Sequence, residues 1–175
     1  MKITRLPIDK FPLLASVERY LLSLPPPLPP FESIGSVAAD INDGPPDANR
    51  TRPRAMLRKV FNPPRDLELP PDVALASLNY YPAGGGMGWH TDSAAPGWRI
   101  YIGRVLGDVP GIFLHLDERE TIATPDEAGL ATAFFVSGLP GQSWHALHTL
   151  APRLSIGLRL SVTNGPTAQA LGLAL

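Results

Sequence analysis

The residues with the clearest chemical potential lie together in Asn79-Tyr80-Tyr81-Pro82-Ala83-Gly84-Gly85-Gly86-Met87-Gly88-Trp89-His90-Thr91-Asp92. An aromatic strand runs into a glycine-rich turn and then into a His-x-Asp pair, His90 and Asp92. Residues two apart on an extended strand project from one face. The imidazole and the carboxylate are therefore expected side by side, as two corners of one metal ion. A second histidine from elsewhere would complete a two-histidine, one-carboxylate facial triad, the ligand set of a non-haem Fe(II) centre with positions left open.

The chain has four histidines, so the third ligand comes from His115, His145 or His148. His115 sits in the apolar run Ile112-Phe113-Leu114-His115-Leu116 and reads as a hydrogen-bonded core or edge residue. His145 and His148 are three apart on an extended segment and face opposite ways, so one of the two is expected to reach the metal. Downstream, Arg153, Ser155, Gly157 and Arg159 alternate with Leu154, Ile156, Leu158 and Leu160. One face of that strand is apolar, and the other carries two guanidinium groups and a hydroxyl. A buried arginine needs a partner, and its planar fork matches a carboxylate. Beside a metal triad, this face points to a dicarboxylate co-substrate.

These residues need a scaffold of short strands. Proline (21) and glycine (16) are plentiful in 175 residues, which favours a β-rich fold with many turns. Candidate strands are 73–81, 87–92, 99–106, 111–116, 119–123, 131–137, 143–148 and 154–162, spaced as in an all-β sandwich or barrel. Residues 11–24 have the apolar spacing of one amphipathic helix, ended by the stiff run Pro25-Pro26-Pro27-Leu28-Pro29-Pro30. Asn42-Asp43-Gly44-Pro45-Pro46 marks a turn. The basic stretch 50–65 (Arg50, Arg52, Arg54, Arg58, Lys59, Arg65) reads as a solvated face, with an anion-facing wall as the alternative.

The length suits one domain, residues 1–175. A net charge of −1 gives no bulk attraction to nucleic acid or to an anionic membrane. The absence of cysteine excludes disulfides and thiolate metal sites. The first residues lack the apolar run of a signal peptide, and no stretch is long enough to span a membrane. A cytoplasmic location without membrane partners is the expectation.

Taken in order, Asn79, Tyr81, Gly84, His90, Asp92, His145, Arg153, Ser155 and Arg159 resemble the AlkB-like branch of the Fe(II)/2-oxoglutarate-dependent dioxygenases. The resemblance covers about residues 68–162. It implies a mainly β fold, a double-stranded β-helix (jelly roll) over 68–162, with an N-terminal helix packed on one sheet. Residues 1–67 would be an N-terminal extension with substrate-side elements. It implies Fe(II), 2-oxoglutarate and O2 as cofactors, with His90, Asp92 and one C-terminal histidine as catalytic metal ligands. His145 is preferred to His148, because its eight-residue separation from Arg153 leaves room for the co-substrate between neighbouring strands. Arg153 would hold the distal carboxylate of 2-oxoglutarate, and Asn79, Tyr81, Ser155 and Arg159 would seat the rest.

The expected reaction oxidises a C–H bond of a small molecule, amino acid or peptide, releasing succinate and CO2. The alternative is oxidative demethylation of alkylated nucleobases in DNA or RNA. Ser93, Ala94 and Ala95 count against it, standing where repair members of the branch carry acidic residues, as does the near-neutral charge. A third reading is a non-catalytic metal- or ligand-binding jelly roll. A Zn hydrolase would leave the arginine strand without a role. Trp89, Trp98, Tyr101 and Arg104 are candidates to line the substrate pocket.

Overall fold

Alternation within single strands builds both the core and the site. In a computed structural model of the chain, the described residues are 3–24, 58–59, 67–92, 94–118, 120–139 and 142–173. The strands are β1 (Ile3–Pro7), β2 (Arg58–Lys59), β3 (Val73–Tyr81), β4 (Gly86–His90), β5 (Gly97–Val105), β6 (Ile112–Asp117), β7 (Glu120–Pro125), β8 (Leu130–Val136), β9 (His145–His148) and β10 (Arg153–Leu160). Among the described residues two α-helices flank them, α1 (Pro12–Ser23) and α2 (Pro166–Ala170), with a 3-10 turn at Ile8–Lys10 leading into α1. One sheet has the order β1-β8-β5-β10-β3-β2 and the other β4-β9-β6-β7. The fold is thus mainly β, with two antiparallel sheets.

On β10, Leu154, Ile156, Leu158 and Leu160 enter the main apolar core, together with Trp98, Ile100 and Ile102 of β5. Helix α1 covers this face with Leu14, Val17 and Leu21, each fully buried. Burying such side chains contributes about 1.5–3 kcal/mol apiece. Pro12 occupies the first turn of α1, where its missing N–H costs no hydrogen bond. The helix stops before Leu24, which is extended (φ −66°, ψ 130°) ahead of Pro25. The opposite faces of β5 and β10 look into the space between the sheets. There Tyr81, Phe113, Phe134, Val136 and Leu147 form a second apolar cluster.

Strand β4 corrects one expectation. It ends at His90 rather than continuing to Asp92. Asp92 leaves the strand in the left-handed region (φ 52°), and its carbonyl accepts the Ala95 N–H at 2.9 Å in a tight turn. His90 and Asp92 therefore do not project side by side from one strand; the turn brings the carboxylate back to the histidine. Strand β1 and helix α2 had no counterpart in the sequence reading. The proline run, the Asn42–Pro46 turn and Ser93 lie outside the described residues, as does the basic stretch apart from the backbone of β2, which pairs with Asn79 and Tyr80. No helix among the described residues is long and apolar enough to cross a membrane.

Candidate metal centre

The glycine turn delivers β4 to its partner β9. Gly85 N–H bonds Pro82 C=O at 2.9 Å, and Gly84 at the third turn position has φ +72°, which a type II turn requires. Gly86 then lies so close to β9 that a Cβ there would overlap the Leu147 carbonyl. The register of the two strands sets His90 opposite His145, and β9 in turn sets His145 opposite His115. The His90 and His145 rings lie 4.1 Å apart, centroid to centroid.

His90, Asp92 and His145 converge, each offering a ligand atom, with all such atoms within 4.8 Å of one another. The His145 Nε2 is 3.7 Å from Asp92 Oδ2. His90 Nδ1 lies 2.7 Å from the Gly88 carbonyl, and His145 Nδ1 lies 2.8 Å from the Ser143 carbonyl. A carbonyl only accepts, so both Nδ1 atoms carry a proton, and in the neutral form of each ring the lone pair falls on Nε2. Such carbonyl bonds are how proteins orient metal-binding histidines. His145 is 2 % exposed, yet its Nε2 has no hydrogen-bond partner among the described residues. A buried, unpartnered lone pair of this kind fits a metal ion.

The electrostatics suit ligation. Burial, and then the charge a protonated His145 would carry, push the His90 imidazole down to about 4, so it is neutral at pH 7. Burial alone would raise the Asp92 carboxyl. His145, His90 and Arg99 outweigh that and hold it well below the usual carboxylate range. Both residues are thus in the form that binds a cation without first losing a proton.

Two cavities meet at this group. The inner one, about 420 Å³ of empty space with its mouth, runs from His90 and His145 past Tyr81 and Ser155 to Arg153 and Asp126. At its far end the Arg153 Nε and Nη2 donate to Asp126 Oδ2 and Oδ1 at 2.5 and 3.0 Å, leaving Nη1 outside the pair. The guanidinium sits under Gly103 and Gly111, where any Cβ would strike it. It lies 5.7 Å from the Tyr81 ring centre. Burial pushes the Tyr81 phenol up to about 12. Asn79 Nδ2 donates to the Tyr81 hydroxyl at 3.2 Å. Ser155 is fully buried, and its hydroxyl has no partner among the described residues. The outer cavity, about 830 Å³ on the same measure, is walled by His90, Asp92, Asn79, Tyr101, Arg99 and Arg159, among others.

The structure therefore gathers His90, Asp92, His145, Asn79, Tyr81, Arg153, Ser155, Arg159 and Tyr101 around two joined cavities. The remaining candidates are elsewhere. Trp89 packs with Ala146 and Trp144 in a separate cluster. Trp98 lies in the core beneath α1. Arg104 Nη1 donates to the Leu22 and Leu24 carbonyls at 3.0 and 3.2 Å, closing the end of α1. His148 lies opposite Gly86 and Ile112, outside the converging group. His115 is 4 % exposed with Nδ1 unpartnered among the described residues, and its ring stacks on Phe113 at 6.3 Å.

Two residues were missed. Arg99 shares a strand face with Tyr101, two residues on, so alternation alone would have found it. Asp126 follows β7, and nothing local in the sequence links it to Arg153. Comparison of the chain with protein-family models and with curated proteins finds no match.

Proposed function

We propose that the chain is an Fe(II)- and 2-oxoglutarate-dependent oxygenase of the AlkB-like kind. Its reaction oxidises a C–H bond of a small molecule, amino acid or peptide. The observation that carries this reading is the convergence of His90, Asp92 and His145, with both Nε2 atoms aimed inward by Nδ1–carbonyl bonds. Two histidines and one carboxylate suit non-haem Fe(II). The arginine-bearing cavities next to them give a role to residues that a purely structural or hydrolytic zinc site would leave idle.

The strand order supports a jelly roll. Counting from β3, the first, eighth, third and sixth strands share one sheet, and the second, seventh, fourth and fifth share the other. Rolling up one long antiparallel hairpin produces this dealing, which pairs first with eighth, second with seventh and fourth with fifth. The cysteine-free chain is compatible with the reducing cytoplasm.

Iron bound there, with 2-oxoglutarate and O2, supplies oxidative decarboxylation: one oxygen atom enters succinate, the other the oxidised C–H bond, and CO2 leaves. The protein's own part is placement. His90, Asp92 and His145 hold the metal. Arg153, through the Nη1 left free by Asp126, receives the distal carboxylate, with Ser155, Asn79, Tyr81 and Arg159 seating the rest. Tyr101 and Met87 wall both cavities and limit water beside the metal.

The test is Fe(II) binding and 2-oxoglutarate-dependent succinate release by the full chain. His90→Ala, Asp92→Ala and His145→Ala should each abolish both, and Arg153→Ala should weaken 2-oxoglutarate binding while leaving the metal in place. His148→Ala should retain both. Metal binding that survives His145→Ala would sink the site assignment.

A further inference from the structure

On β5, Arg99 projects with Tyr101 into the outer cavity and is only 3 % exposed. Its Nη2 donates to the Ala95 carbonyl, its Nε lies 3.8 Å from Asp92 Oδ2, and its Nη1 is buried without a partner among the described residues. Directly across the ladder stands Arg159 on β10. Like charges opposite one another on paired strands destabilise a sheet, and a buried guanidinium short of partners adds to that cost. Asp92 is the one acidic side chain among the described residues lining this cavity. If a metal ion claims that carboxylate and 2-oxoglutarate claims Arg159, Arg99 is left facing space with no counter-charge of its own. Nearby, the Ser77 hydroxyl is also buried and unpartnered among the described residues. The rest of the wall includes Ala74, Leu75, Ala76 and Met87.

We propose that this outer cavity recognises a carboxylate on the molecule that is oxidised, with Arg99 as the recognising residue. The proposal rests on the oxygenase reading and narrows its substrate to an organic acid with an apolar body. Three considerations carry it. The guanidinium is planar and forked, which matches a carboxylate. Its unpartnered Nη1 and the Ser77 hydroxyl supply one donor for each of two oxygens. Arg153 lines the inner cavity and is not among the residues lining the outer one, so an acid held by Arg99 is separate from the co-substrate's distal end.

The test uses the full chain loaded with redox-inert Zn(II) and saturated with 2-oxoglutarate, titrated calorimetrically with benzoate, its neutral isostere benzamide, and inorganic phosphate. Benzoate should bind about tenfold or more tightly than benzamide, the scale of a hydrogen bond to a charged group, and more tightly than phosphate. Arg99→Gln should reduce benzoate to the benzamide level, and Arg99→Lys should restore part of the difference. Equal affinity for benzoate and benzamide, or benzoate binding untouched by Arg99→Gln, overturns the proposal. Phosphate binding more tightly than benzoate overturns the choice of carboxylate. If Arg99→Gln weakens 2-oxoglutarate as much as Arg153→Gln does, Arg99 belongs to the co-substrate and the proposal fails. If the unmutated chain takes up neither Zn(II) nor 2-oxoglutarate, the oxygenase reading falls instead, and benzoate against benzamide in the metal-free chain still decides the role of Arg99.

Discussion

Asp126 sets the state of Arg153 at the far end of the inner cavity. The pair is bidentate and largely buried, with side-chain exposures of 3 % for Arg153 and 16 % for Asp126. Removing one member of such a pair strands the other charge, at about 3 kcal/mol or more. Asp126→Asn should therefore lower the stability of the empty chain by about that amount. An incoming carboxylate can replace the lost partner, so 2-oxoglutarate should raise the melting temperature of Asp126→Asn more than that of the unmutated chain. Thermal melts with and without the acid, on the Zn(II)-loaded chain, check this. Equal ligand-induced shifts would mean that the Arg153 end does not receive the acid. The residue scale also shows what sequence hides. His90, Asp92 and the β10 arginines were legible from type and spacing. Asp126 was not, because its meeting with Arg153 is made by tertiary packing across 27 positions.

At the scale of elements, the site depends on how closely β4 and β9 approach. Each strand supplies one histidine to the group, and at Gly86 an added Cβ would overlap the Leu147 carbonyl of β9. Gly86→Ala should force the strands apart, costing about 1–3 kcal/mol or more and weakening metal affinity along with stability. Gly84→Ala makes a control: a Cβ there meets nothing within 4 Å, so only the left-handed φ resists it, at about 1–2 kcal/mol. Urea unfolding and metal titration of both variants separate the two effects; metal affinity unchanged in Gly86→Ala would remove β4–β9 spacing as a determinant. Strand positions were largely readable, and β3 falls on the expected 73–81. Strand β4 was misjudged at its end because alternation cannot announce a left-handed turn at Asp92. Strand β1 was not anticipated. Among the described residues it pairs only with β8, at the sheet edge, and its short sequence Ile-Thr-Arg-Leu-Pro carries little periodic signal.

Across the whole molecule, the chain end is tied back to the start of β3. Asp72 accepts hydrogen bonds from the Thr167 hydroxyl at 2.7 Å and the Thr167 N–H at 3.0 Å, just inside α2. The Thr167 hydroxyl, and then its N–H, hold the Asp72 carboxyl below its ordinary value. A lowered folded value means that this stabilisation is complete above the unfolded value, about 3.9, and is lost as pH falls through the folded one. Asp72→Asn should thus be less stable than the unmutated chain near pH 6, with the gap shrinking towards pH 2. Urea midpoints across that range test it, and a constant gap would exclude the linkage. The same scale gives the two sheets unequal standing. The six-stranded sheet has α1 and the large core behind it, whereas the candidate ligands His90 and His145 belong to the four-stranded sheet and the arginines to its partner. An ion and an acid lodged between them would act as a clasp across the two leaves. The working lifetime of the protein would then follow its occupancy: starved of metal, the β4–β9 leaf would loosen first and offer itself to proteases. Limited proteolysis that cuts both forms at the same rate would show the leaves need no clasp.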